Sequence, residues 1–589
     1  MKYSSIPSAQ ILVQSCKSLD ISNVVISPGS RNAPLIIGFT EDAFFNCYSV
    51  IDERSAGFIA LGMALESGSP VLLVCTSGSA LLNYYPAIAE AFYSEIPLVV
   101  VSADRPSYKI DIGDGQTIRQ KDIYKKHCDI NAELDQDLTH GTEEYFRSQG
   151  SPIPEKAELL KNQSEVNERN ESRTLTALKQ AIQKKSPAHI NIPFEEPLYN
   201  RVEAISYTTN IREHSTDKKS EGNSDAFTAN WQAADRKMIL IGQARETALN
   251  SEICQQLAAD PSVMVLTETT SNTHHPSFFP SIDSIIAPLE KIEDGAEYFS
   301  SLQPDILITL GGQIVSIKIK AFLRKYPPKS HWHLGATRPN DTFFKGVSHL
   351  NQDASASIAG CLINKNNSDS LYRPSFESVK ATYQAGREKY LGQIPFSDFS
   401  AFAEILSTLP KDIVVHFANS SAIRYAQLFD MQKSNKVHCN RGTSGIEGST
   451  STAIGASVIS KKPTVLISGD LGFLYDSNAL WNDYVRLDFR MIVINNGGGG
   501  IFRILPGKDN SKAFEKFFET THQRTCKFLC EDHGLDYEAV SNLAELQQAL
   551  NNFYQESDKP KLLEVFTPRL ENDEILLAYF DFLSSVISE

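Results

Sequence analysis

TVLISGDLGFLYDSNALWNDYVRLDFRMIVINNGGGG (464–500) carries two short apolar runs, TVLIS (464–468) and MIVIN (491–495), each passing straight into glycine and polar residues. Runs of β-branched and aliphatic residues without polar alternation read as strands buried on both faces, the mark of a parallel sheet. Asp470 and Asn496 stand just beyond the two runs. In an open parallel sheet that is the carboxyl edge, where ligands bind. An aspartate after one strand and an asparagine after its neighbour can converge on one hard cation, with a backbone carbonyl from the glycine run as a third oxygen. Mg2+ is usually held in this way, by few protein oxygens completed by phosphate and water. Gly-Asp alone is an ordinary turn. Gly-Asp followed by Asn-Asn across one helix and strand is much more specific.

The same strand signature recurs outward from this segment. IVVHF (413–417), KVHC (436–439) and KLLEVF (561–566) complete one series. VVIS (24–27), YSVI (48–51), VLLVC (71–75) and LVVVS (98–102) form another near the start. MILIG (238–242), VMVLT (263–267), DILITL (305–310) and HWHLG (331–335) lie between them. Strands alternating with helical patterns predict an α/β chain of parallel βαβ units. Residues 139–185 are polar and helix-prone and end in the extended SPAHINIPFEEPLYN; a Ser/Thr/Lys/Asp-rich stretch at 208–228 reads as a surface linker, and INKNNSDS (363–370) as a second boundary. Three α/β domains are expected, at 1–200, 201–365 and 366–589, each an open, mostly parallel sheet flanked by helices. The first and third series could share a topology.

Strand ends in the outer domains are loaded with unusual residues: SPGSR (27–31), DER (52–54), TSGS (76–79) and SADRP (102–106), then ANSS (418–421), NRGTSG (440–445), SGDLG (468–472) and NNGGGG (495–500). Turn chemistry accounts for Gly, Ser, Asn and Asp but has no use for Arg31, Arg105 and Arg441. With 71 acidic against 56 basic residues and a net charge of −15, the chain is a poor nucleic-acid or anionic-membrane binder. Arginines gathered at strand ends in such a chain point to small anionic substrates. No apolar run is long enough for a membrane span, and MKYSSIPSAQILVQ lacks a secretory profile. Nine scattered cysteines without a CxxC pair read as buried thiols, and a cytoplasmic location is expected. His522, Cys526 and Cys530 offer three metal-ligand types without a fourth, a weak metal set. No G-x-G-x-x-G follows a strand, which argues against a dinucleotide oxidoreductase.

SPGSRNAPL (27–35), IDERSAGFIALGMA (51–64), TSGSALLNYYPAIAEA (76–91), SADRP (102–106), GDGQTIRQ (113–120), NRGTSGIEG (440–448), GDLGFLYDSNAL (469–480) and NNGGGGIF (495–502) occur in that order. The GD…NN segment resembles the diphosphate-binding motif of thiamine-diphosphate enzymes. The whole series closely resembles the family of 2-succinyl-5-enolpyruvyl-6-hydroxy-3-cyclohexene-1-carboxylate synthases of menaquinone biosynthesis. The match is specific in the outer domains and weak in the middle one. The resemblance implies a thiamine-diphosphate enzyme fold with a pyrimidine-binding first domain and a diphosphate-binding third domain. It implies a transferase that decarboxylates 2-oxoglutarate and adds the remaining unit to isochorismate. Another thiamine-dependent 2-oxoacid decarboxylase or carboligase is the nearest alternative, and a non-catalytic binding protein on the same fold a more distant one.

Residue roles carried by the resemblance are as follows. Glu53 would be the catalytic carboxylate on the cofactor's aminopyrimidine, with Ile446 the apolar wedge beneath the cofactor. Asp470, Asn496 and the Gly498 carbonyl would hold Mg2+, or Mn2+ in its place. Ser420, Ile501 and Phe502 would complete the cofactor site. Ser30, Arg31, Arg105, Gln116, Arg424 and Arg441 would bind the two acids, with Leu505 lining the pocket. A family lysine from the middle domain reaches the substrate; VSIKIK (315–320) offers Lys318 or Lys320, and Lys318 is taken here. Gly115 stands where the family has an asparagine, which puts one side-chain contact in doubt. A dimer or tetramer with active sites shared between subunits is implied.

Overall fold

The apolar runs become strands of three parallel sheets in the computed structural model, which describes residues 2–208, 224–362, 369–505 and 507–588. The first sheet contains β1 (Asn23–Ile26), β2 (Asn46–Ser49), β3 (Val71–Cys75), β4 (Leu98–Asp104), β5 (Ile130–Glu133) and β6 (Ala188–Pro193). Its spatial order is β2-β1-β3-β4-β6-β5. The middle sheet contains β7 (Lys237–Ile241), β8 (Val263–Thr267), β9 (Ile306–Leu310), β10 (Ser330–Leu334) and β11 (Ser348–Leu350), ordered β8-β7-β9-β10-β11. The third contains β12 (Val414–Phe417), β13 (Lys436–Cys439), β14 (Thr464–Gly469), β15 (Phe489–Asn495), β16 (Asp536–Val540) and β17 (Lys561–Phe566). Its order, β13-β12-β14-β15-β17-β16, repeats that of the first sheet strand for strand. In both, the winding direction reverses between the first and third strands, the switch point where such sheets open a crevice.

Every apolar run is a strand, although YSVI is displaced two residues toward Asn46. The strands without an apolar run have physical reasons to hide. β5, β11 and β16 are sheet edges with partly exposed faces, so polar residues fit there. β6 lies inside its sheet but buries His189 and Asn191 among its aliphatics. The linker reading at 208–228 fails at its end: Ser224–Ala233 is a helix that buries Phe227 and Trp231. Residues 209–223 and 363–368 lie outside the described residues.

The chain condenses as two compact units. One holds residues 1–216 with the first sheet, together with Gly442–Lys461 and Asp476–Arg486. The other holds Asp217–Arg441, Lys462–Tyr475 and Leu487–Glu589, and so both remaining sheets. Side-chain alternation explains why two sheets make one body. Ile239, Ile241, Val265 and Ile308 of the middle sheet pack with the helices of their own domain. Met238, Leu240, Met264 and Leu266 face the other way, into a continuous core with Val415, Ile467, Ile492 and Leu563 of the third sheet. Helices Pro374–Leu391 and Asn572–Ser588 supply Tyr383 and Tyr579 to that core.

Candidate functional site

Asp470 opens the short helix that follows β14 and is 2% exposed. Its Oδ1 accepts the Leu471 amide at 2.6 Å, which fixes the carboxylate at the helix start. Its Oδ2 accepts the amide of Gly498 at 3.0 Å and lies 3.2 Å from His522 Nε2. The two asparagines after β15 divide their labour. Asn495 is structural: Nδ2 donates to Glu564 at 2.7 Å and to the Arg524 carbonyl at 2.9 Å. Asn496 Nδ2 donates to Asp398 at 3.0 Å, which leaves its amide oxygen as the remaining acceptor. Asp398, a buried residue without a signal in the sequence, is pushed up to about 6 by burial, with the charge of Asp470 adding to it. Thr567 and Asn496 donate to Asp398 and oppose that rise.

The glycine run is shaped by backbone contact. Gly498 has φ 153°, and a Cβ there would fall 2.7 Å from the Glu519 carbonyl. That carbonyl accepts the Gly499 amide at 2.6 Å, while the Gly498 carbonyl accepts the Gly500 amide at 3.0 Å. Glu519 is pinned by Arg503 at 2.6 and 2.9 Å and by Arg569 at 2.7 Å, a buried cluster that holds the loop in place. Helix Ile501–Ile504 follows at once, with Ile501 half-buried and Phe502 and Leu505 exposed. Across the switch point from Asp470, Ser420 precedes helix Ser421–Ala426 at φ 68° and ψ −130°, a left-handed conformation costly for serine. A donor set of buried carboxylate, amide oxygen and glycine backbone fits a hard cation with a phosphate ligand.

In the other unit, Glu53 is the first residue of helix Glu53–Ser67, capped by Asp52, whose carboxylate accepts the Arg54 and Ser55 amides. Burial holds the Glu53 carboxyl above its ordinary range, and the adjacent Asp52 charge adds to the rise. The helix crosses helix Ser449–Ser460 backbone against backbone. A Cβ on Gly62 would meet the Thr452 carbonyl at 2.0 Å, and one on Gly455 the Ile59 carbonyl at 2.0 Å. Gly448, before the second helix, lies against the ring of Phe58. Ile446, two residues earlier, is 40% exposed.

The predicted substrate residues fall into two groups. In the first unit, Arg31 is 4% exposed and donates to the Phe194 carbonyl at 3.0 Å and to Glu196 at 3.1 Å. Arg105 donates to Ser77 Oγ at 2.6 Å and to the Gln116 carbonyl at 3.5 Å. Burial, then the charge of Arg31, pulls Arg105 below the ordinary arginine value. Ser30 and the Gln116 side chain are exposed beside them. At Gly115 a Cβ would meet nothing within 4 Å, so the missing asparagine leaves open space.

In the second unit, Arg441 donates to Asn419 at 2.7 Å. Burial lowers Arg424, and the neighbouring Arg441 lowers it further. Lys318 stands at the margin of this group, its charge reaching Asp283, a partly buried acid that also feels Arg424. From helix Ile317–Lys325 it pairs with Glu290, at the end of helix Ile282–Leu289. Two positions on, Lys320 does join: burial depresses it, Glu268 opposes, and Arg441, Arg324 and Arg424 depress it further. Helical rotation is the reason, since positions two apart face different ways. Glu268, the buried acid of this cluster, is pushed up to about 7 by burial. His522, Cys526 and Cys530 do not form a metal set: among the described residues, no three His, Cys, Asp or Glu side chains are gathered to hold one.

Comparison with known proteins defines the class. Residues 7–127 match the family model of the thiamine pyrophosphate enzyme N-terminal TPP binding domain, and residues 419–565 that of the C-terminal TPP binding domain. A solved benzoylformate decarboxylase from Polynucleobacter necessarius shares the fold, with TM-score 0.64 over 95% of this chain and 99% of that one, at 15% identity. Three curated 2-succinyl-5-enolpyruvyl-6-hydroxy-3-cyclohexene-1-carboxylate synthases are similar over 99% of this chain and 100% of their own lengths. They come from Christiangramia forsetii at 50% identity, Flavobacterium psychrophilum at 48% and Flavobacterium johnsoniae at 46%. The chain belongs to this synthase family.

Proposed function

We propose that this protein is a thiamine-diphosphate-dependent transferase that decarboxylates 2-oxoglutarate and adds the remaining four-carbon unit to isochorismate, in menaquinone biosynthesis. The observation that carries the reading is full-length similarity to the named synthases, joined to a half-buried acid, Glu53, at one strand edge and Asp470 with Gly498 at another. Asp470, the Asn496 amide oxygen and the Gly498 carbonyl would hold Mg2+ or Mn2+, which would supply positive charge for the diphosphate. Ser420, Ile446, Ile501 and Phe502 line the cofactor. Thiamine diphosphate, when bound, supplies the carbon nucleophile and takes up the electrons released with carbon dioxide.

Glu53 holds a proton against the pyrimidine ring nitrogen, a task suited to a carboxyl that burial already biases toward its protonated form. Ser30, Arg31, Arg105 and Gln116 bind carboxylates on one edge, and Arg424 and Arg441 on another, the guanidinium fork matching the carboxylate, while Leu505 lines the pocket. Lys320 replaces Lys318 as the lysine of this set. The domains are taken as 1–200, 201–365 and 366–589. The chain acts in the cytoplasm as a dimer or tetramer with active sites shared between subunits. No helix among the described residues is long and apolar enough to cross a membrane.

Purified protein with Mg2+ and thiamine diphosphate should consume 2-oxoglutarate and isochorismate one to one and release one carbon dioxide. Carbon dioxide release from 2-oxoglutarate at an unchanged rate with and without isochorismate, and no adduct, would show a simple decarboxylase instead.

A further inference from the structure

Gln120 ends the GDGQTIRQ segment and is 1% exposed. A buried amide normally has its donors and acceptor satisfied, and this one spends them on three separate segments. Its Oε1 accepts the Gly78 amide at 2.9 Å, in the loop after β3. Its Nε2 donates to the Ala103 carbonyl at 3.2 Å, in β4, and to Asn191 Oδ1 at 2.8 Å, in β6.

Each of these ties leads to Arg105. Asn191 Nδ2 donates to Asp104 at 2.8 Å, and the other oxygen of Asp104 accepts the Arg105 amide at 2.8 Å. The Gly78 amide fixes the loop whose Ser77 accepts from the Arg105 guanidinium. Gln120 also anchors the end of the segment in which Gln116 turns through φ 54° and presents its carbonyl to Arg105. Gly78 itself sits under Gln116 at φ 89°, with room for a Cβ only 3.2 Å from the Gln116 carbonyl.

We infer that Gln120, acting with Asn191, is a positioning residue that sets the Arg105 guanidinium for the carboxylate of a substrate. The inference rests on the proposed role of Arg105 as a substrate ligand. Gln120 touches no substrate; it holds the backbone, the serine and the carbonyl between which the guanidinium is aimed. Small misplacements of such a group are costly to substrate capture.

A double-mutant cycle tests this with Arg105→Ala, Gln120→Leu and the double variant, on the cofactor-loaded enzyme. KM and kcat are measured for 2-oxoglutarate and isochorismate in turn, with thiamine-diphosphate affinity and thermal melting as checks of integrity. Arg105→Ala should raise KM for one of the two acids by about tenfold or more, and Gln120→Leu should raise KM for the same acid by about fivefold with kcat and cofactor affinity little changed. The double variant should be no worse than Arg105→Ala by more than about twofold, because the two act as one unit. Should Gln120→Leu not fold, Gln120→Glu keeps the oxygen for Gly78 and removes both N–H donors, and the same KM rise is expected. An unchanged KM in a folded Gln120 variant, or KM effects that multiply in the double variant, overturns the inference while leaving Arg105 in its role. An unchanged KM in Arg105→Ala overturns both.

Discussion

The amide of Gly498 points at Oδ2 of Asp470 across 3.0 Å, so the loop after β15 is tied directly to the carboxylate after β14. Gly498 can do this only without a side chain, because its φ of 153° and the Glu519 carbonyl exclude a Cβ. Gly498→Ala should cost on the order of 1–3 kcal/mol of local strain and weaken thiamine diphosphate binding at fixed Mg2+ by about tenfold. Fluorescence titration of the cofactor reads this; wild-type affinity in a folded variant would remove the loop from the cofactor site.

Glu53→Gln should keep the helix, since the Asp52 cap is untouched, and should leave cofactor affinity within a few-fold. Turnover should fall by about 10²–10⁴, the usual worth of a positioned proton-transfer group. Turnover within tenfold of wild type would place the proton chemistry elsewhere.

The two lysines of VSIKIK make opposite predictions. Lys320→Ala should raise KM for an anionic substrate by about tenfold, or about 1.4 kcal/mol, while Lys318→Ala, losing its half-exposed pair with Glu290 and its charge near Asp283, should stay within about twofold. Steady-state kinetics on both variants decides between them, and a larger effect at Lys318 would reverse the assignment.

Asp476 gives a pH test of stability. This buried carboxyl accepts the Ser451 amide and hydroxyl at 2.7 and 2.8 Å, yet burial pushes it up from 3.8 to about 6. The folded protein therefore binds this proton more tightly than the unfolded chain. Stability falls as pH rises from about 4 to about 6, and the full cost, about 3 kcal/mol at 1.36 kcal/mol per unit, is present above that window. Asp476→Asn cannot ionise. Urea unfolding at a series of pH values should show the variant gaining on wild type across that window and holding level above it. A difference independent of pH would mean that Asp476 does not titrate there.

Much of this was legible in the sequence because the signals are strand ends. Asp470, Asn496 and the glycines follow apolar runs that can only be buried strands, and Glu53 follows a run on a second sheet. Side-chain direction was less legible. Lys318 and Lys320 differ by helical rotation, which two flanking isoleucines do not fix. Asp398 gives no sign of itself, because an acid beside a serine cap looks like an ordinary helix start; only the fold brings it to Asn496. The role of Gln120 was hidden for the same reason, since its partners Gly78, Ala103 and Asn191 lie on three other segments.

The crossing at Gly62 and Gly455 has a consequence for how such a chain can change over time. Each glycine leaves room only for the other helix's backbone, so a side chain at either position drives the pair apart. Moving the helices apart shifts the start of one, where Glu53 stands, and the loop before the other, where Ile446 stands. Because the obstacle at each position is the partner's backbone, no side-chain change on the opposite helix makes room, and inherited variation at Gly62 or Gly455 is closed off rather than compensated.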